Sequence, residues 1–128
     1  VDSKTQDFPS LQVIFHENIV FSSFGKWLYP LFDLEDHLRE HPLDMSQVEI
    51  RDKVIGKAAA LLIVRLGTGR VYGETISDLG IAVFESASLP FAYGQRVPKI
   101  ACKTEKLLAD IDDLDEAYHI LCQRAGRC

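Results

Sequence analysis

The chain is short of the features that would mark a nucleic-acid binder, a membrane protein or a disulfide scaffold. Lys and Arg number 14 against 19 Asp and Glu, a formal charge of −5 at pH 7. A surface of that sign repels phosphate backbones and anionic lipid, so neither nucleic acid nor membrane is expected as a partner. Cysteines number three, Cys102, Cys122 and Cys128. So sparse and odd a set is not a disulfide framework, and free thiols fit a reducing, cytoplasmic setting. The longest apolar run, Val54 to Val64, is interrupted by Lys57. It is shorter than the roughly 20 residues that span a bilayer. The start of the chain is polar and shows no signal peptide.

Catalytic signatures are missing as well. There is no Gly-x-Ser-x-Gly and no Cys-x-x-Cys. Gly67-x-Gly69 sits between a helix and a strand, the reverse of a dinucleotide-binding fingerprint, and reads as a turn. His37-Leu38-Arg39-Glu40-His41 matches the His-x-x-Glu-His pattern of inverted zinc peptidases. Pro42 follows at once, however, and no third ligand is indicated. The plainer reading is a solvated helix end, where histidines favour the negative terminus. No metal and no cofactor are expected.

What is present is an ordinary globular composition, 47% apolar and 26% charged, in 128 residues. That is one domain with one core. Residues 1–10 read as a loose start. Leu11 to Phe15 and Ile19 to Phe21 form a hairpin, with Asn18 suited to a positive φ in its turn. Trp27 to His41 is a helix with Pro30 in its first turn, stopped by Pro42. Val48 to Arg51 is a short strand, after which Asp52 caps a helix from Lys53 to Leu66. Arg70 to Ile76 is a strand, and Ser77 or Asp78 caps a helix running to about Ala87. Phe91 to Val97 is a strand ended by Pro98. Thr104 to Asp110 and Leu114 to Arg124 are helical. Asp113 and Glu116 stand at capping-box spacing at the start of the second. After the hairpin, strands and helices alternate, which implies right-handed crossovers and a largely parallel sheet.

The helix assigned to Lys53–Leu66 is apolar or small at nearly every position after Lys57, the pattern of a buried helix. Its polar groups collect at the N-terminal end. Lys53 and Lys57 would stand one turn apart, beside the unpaired N–H groups of a helix start, and together would make an anion site. The alternative is that both lysines point to solvent. Cys102 precedes a helix start and neighbours Lys103, both of which would lower its pKa. A partly buried structural thiol is the plainer reading.

Several stretches in order resemble an uncharacterised bacterial family, domain of unknown function eighteen ninety-three. They are Val13-Ile14-Phe15 with Ile19-Val20-Phe21, Gly25-x4-Pro30-Leu31-x-Asp33-Leu34, and Asp52-Lys53-Val54-Ile55-Gly56-Lys57-Ala58-Ala59-Ala60. Val71-Tyr72-Gly73 with Ile76-Ser77, Val97-Pro98, Cys102 and Glu105-Lys106-Leu107 complete the set. The resemblance covers roughly residues 11–108 and leaves the C-terminal helix, 113–128, unmatched. It implies a three-layer cytidine-deaminase-like fold, a mixed sheet of about five strands with helices on both faces. In zinc deaminases one helix opens with His-x-Glu or Cys-x-Glu and the next with Pro-Cys-x-x-Cys. The corresponding positions here hold Asp52-Lys53 and Ile76-Ser77-Asp78-Leu79-Gly80, which lack the four N or S donors zinc requires. Zinc-dependent deamination is not expected.

Three functions follow. The first is a module binding a small anionic or nucleotide-like ligand near Lys53, Gly56, Lys57, Ser77 and Asp78. The second is a metal-independent enzyme in the same cleft, with Asp52 or Glu74 as proton acceptor, Lys53 as electrophile and Cys102 as nucleophile. The third is a homodimeric interaction domain.

Overall fold

Alternating burial organises the sheet. In the computed structural model, which describes residues 9–100 and 103–127, Leu11 and Val13 of β1 (Leu11–Phe15) are fully buried. β1 pairs antiparallel with β2 (Asn18–Ser23) through a two-residue turn. His16 and Glu17 carry the positive φ values, 51° and 69°, rather than Asn18. Two successive left-handed residues match the twist of the flanking strands. Asn18 opens β2 instead, and its amide donates to the His16 carbonyl at 3.2 Å. Of the expected loose start, Ser10 is in fact tied down: its N–H donates to the Ser23 carbonyl and its hydroxyl to that of Gly25. Residues 1–8 lie outside the described set.

α1 (Tyr29–Glu40) follows, with Pro30 in its first turn, and a short 3₁₀ turn at Met45–Gln47 leads into β3 (Val48–Ile55). At the C-terminal end of α1 the rings of His37 and His41 stack with centroids 4.6 Å apart. The rest of the chain supplies α2 (Lys57–Leu66), β4 (Arg70–Ser77), α3 (Asp78–Ser86), β5 (Phe91–Val97), α4 (Lys103–Leu107) and α5 (Leu114–Arg124).

The largest departure from expectation lies between β3 and α2. Asp52 and Lys53 belong to the strand, so Asp52 caps nothing, and Lys53 does not share a helical face with Lys57. β3 pairs in parallel with β4 as far as Ile55 opposite Ile76, and the Lys53 N–H donates to the Ser10 carbonyl at 3.0 Å. Those ladder bonds, with β-branched Val54 and Ile55, favour the strand. Gly56 then makes the break, and α2 ends at Gly67 in the left-handed conformation, φ 81°. Ala58 to Ile63 are all buried, as the apolar pattern requires.

The sheet order is β2-β1-β3-β4-β5. β2 and β3 both run antiparallel to β1 and are therefore parallel to each other. The three crossovers through α1, α2 and α3 all advance in one direction across the sheet. Right-handed connections then place all three helices on the same face. Leu11, Val13, Val48, Ile50 and Val71 are buried beneath them, while Arg51, Arg70 and Glu74 on the opposite face are exposed. The expectation of helices on both faces is thus overturned among the described residues.

α5 packs against α2 rather than crossing to the open face. Ala117 and Leu121 are buried there, and the Tyr118 hydroxyl donates to Glu35 at 2.7 Å beneath the Arg65 guanidinium. Cys122 is buried and disulfide-bonded, so the expectation of free thiols does not hold for it. Among the described residues no helix is long and apolar enough to cross a membrane.

Candidate functional site

A helix start leaves its first N–H groups without intrahelical partners. α2 has glycine at its cap position, and no side chain there supplies an acceptor. The acceptor comes from α4. Glu105 is 5% exposed, and its Oε2 accepts from the Lys57 N–H at 2.9 Å and from the Ser77 hydroxyl at 2.6 Å. Its Oε1 accepts from the Ile100 N–H at 3.0 Å. The Ser77 hydroxyl in turn accepts from the Gly80 N–H at 3.1 Å, capping α3. One buried carboxylate therefore serves the positive ends of two helices. An anion does gather at these helix starts, and it is the protein's own.

Gly56 is needed for that approach. A Cβ there would lie 2.8 Å from Glu105 Oε2. Gly56→Ala is expected to displace the carboxylate and lower stability by about 1–3 kcal/mol, read as a drop in the urea midpoint. An unchanged midpoint would show that Glu105 tolerates being moved.

Beside this cluster opens a cavity of about 370 Å³ between the start of α1 and the β3–α2 junction. Trp27, Leu28, Pro30, Val54 and Ile100 give it apolar walls, and Lys26 and Lys53 also line it. Trp27 has φ 57°, a conformation that bulky side chains rarely adopt. Its ring meets that of Tyr29 edge-on at 5.2 Å. Asp52 is the titratable group of interest in the lining. Burial pushes its carboxyl up from 3.8 to about 7, against backbone N–H donation from Val54 and Lys53. A carboxyl in that range can hold or release a proton near neutrality.

The expected site residues separate in the structure. Asp52, Lys53, Gly56 and Lys57 all line the cavity. The Lys57 ammonium, however, is directed at the Ala109 carbonyl and Asp112. Ser77 is engaged with Glu105, and Asp78 pairs with Arg96 at 2.7 Å. Glu74 lines a smaller cleft of about 80 Å³ with Gln12, Arg51 and Tyr72, which Asp52 and Lys53 also border. Cys102 lies outside the described residues. The two helix starts offer Lys57, Ala58, Ser77 and Asp78, which do not make a zinc donor set. Among the described residues no three His, Cys, Asp or Glu side chains are grouped to hold a metal.

A family described as a domain of unknown function, DUF1893, matches residues 9–124. The chain belongs to the DUF1893 family. A search among curated proteins finds no match. The structure is similar to that of a DUF1893 family protein (TM1506) from Thermotoga maritima, with a TM-score of 0.81 and 22% identity. The likeness covers 91% of this chain and 80% of the other and shows a shared fold. The DUF1893 match runs through α5, beyond the stretch in which the sequence motifs are recognisable. Two residues central to the site, Glu105 and Trp27, were not singled out as site residues by sequence. Glu105 lies within a family-like stretch and Trp27 is the one tryptophan of the chain; neither signal says where the side chain goes.

Proposed function

We propose that this DUF1893 protein binds a small nucleotide-like molecule in the Asp52 cavity. The ring would lie against Trp27, its hydrogen-bonding edge on the Asp52 carboxyl, and its anionic part toward Lys26 and Lys53. The reading rests on one observation: a concave, mainly apolar cavity has Asp52, Lys26 and Lys53 in its lining, beside Glu105 and Lys57, which are engaged with partners within the protein. Apolar walls with a few placed polar groups are the ordinary composition of a small-molecule site. The left-handed Trp27 supports it, since backbone strain of this kind collects at functional sites. The antiparallel hairpin leading into three parallel strands supports the sheet of the cytidine-deaminase-like fold that the sequence resemblance implies, though not its second helical layer. A second reading, proton transfer in a metal-independent enzyme, is favoured by the position of Asp52 near neutral pH.

Calorimetric titration with a panel of nucleoside monophosphates and matching nucleosides tests the proposal. At least one nucleotide is expected to bind, more tightly than its nucleoside. Trp27→Ala should weaken it about tenfold, the scale of one aromatic stacking contact. Absence of binding across the panel, or an affinity indifferent to Trp27→Ala, would remove the proposal.

A further inference from the structure

A second and larger concavity lies on the other side of Lys57. It runs between α2 and α3, has a volume of about 500 Å³, and ends at the turn joining α4 to α5. Leu61 and Val64 line it from α2, and Leu79 and Val83 from α3. At its polar end stands Lys57, whose side chain is 5% exposed. Two acceptors face its ammonium, the Ala109 carbonyl at 3.1 Å and Asp112 Oδ1 at 2.9 Å. All three residues line the groove.

The two halves of this ion pair are unlike. Lys57 is held in the protein interior, where a charge needs a partner. Asp112 is 88% exposed on a loop, where water competes for its carboxylate and the side chain turns freely. Such a counter-ion is replaceable. A carboxylate brought in from solution could take the position of Asp112 on Lys57 with no change in the buried charge. If it carried an aliphatic tail, the tail would enter the groove and lose its contact with water, a gain that Asp112 cannot match.

From this geometry we infer that the α2–α3 groove is a binding site for a medium-chain aliphatic carboxylate, its head on Lys57 in place of Asp112 and its tail along Leu61, Val64, Leu79 and Val83. The site is separate from the Asp52 cavity and does not depend on what that cavity binds.

Titration of the whole protein with octanoate, octan-1-ol and octylamine tests it, followed through the methyl resonances of Leu79 and Val83. Octanoate is expected to bind at least tenfold more tightly than the alcohol, with the amine weakest. Shortening the acid by one methylene should cost about fourfold in affinity. Asp112→Asn removes the competing carboxylate and should tighten octanoate several-fold. Lys57→Met should reduce octanoate to the affinity of the alcohol. Should the buried lysine prove necessary for folding, the Asp112→Asn variant carries the test alone. Equal binding of acid and alcohol, weaker octanoate binding in Asp112→Asn, or shifts confined to Trp27 would each overturn the inference.

Discussion

Glu105→Ala is expected to lower the stability of the protein by about 4 kcal/mol in urea denaturation, a large part of what a domain of this size has. The substitution removes the acceptor of three donors at once: the Lys57 N–H, the Ser77 hydroxyl and the Ile100 N–H. Each donor left unpaired in a buried position costs about 1–3 kcal/mol. The charge of Glu105 also stabilises the start of α2, and that contribution goes with it. Glu105→Gln keeps the shape but turns an NH₂ toward a donor, so an intermediate loss is expected. Ser77→Ala and Glu105→Ala share one hydrogen bond, so the double variant should lose less than the two single losses combined. Acetate or formate should restore part of the stability of Glu105→Ala by filling the carboxylate-shaped hole at the two helix starts. A loss below about 1 kcal/mol would mean that water replaces the carboxylate without penalty, and the role assigned to Glu105 would fall.

The second large effect depends on pH. Asp52 titrates at 3.8 in an exposed setting and near 7 in the folded protein. Between these values the folded state keeps a proton that the unfolded state has released. Stability therefore falls as pH rises from about 4 to about 7 and is level with respect to this group above that. Three pH units correspond to about 4 kcal/mol, and partial exposure of Asp52 to water reduces the expected figure to about 2 kcal/mol. Asp52→Asn is neutral at every pH and keeps an oxygen that can accept from Val54 and Lys53. It should be more stable than the natural chain by about 2 kcal/mol at pH 8 and nearly equal to it only below about pH 4, where Asp52 is protonated in both states. Urea midpoints of both proteins across that range decide the matter. Parallel curves would place Asp52 in a solvated setting and remove it as the polar anchor of the cavity.

The sequence by itself determined the elements whose signals are local. β1, β5 and α5 fall at the boundaries read from β-branched and aromatic residues, from Pro98 and from the Asp113 cap, which accepts from the Glu116 N–H at 2.8 Å. The burial of α2 was equally legible, because a helix apolar on all sides has no stable place outside a core. Family membership was legible in the same way, from stretches of residues standing in order.

Only the tertiary structure decided the rest. Asp52, Lys53, Val54 and Ile55 suit either a helix start or a strand, and pairing with β4 made them strand. The face on which the helices lie depends on strand order, which no local pattern encodes. The α2 start first read as an anion site formed by Lys53 and Lys57. In the folded chain it is capped by Glu105, 48 residues further on, which also meets Ser77 across 28 residues. Hydrogen bonds between groups so far apart leave no periodic trace in a sequence. They form because folding buries helix ends that must find an acceptor, and the nearest acceptor in space is set by topology.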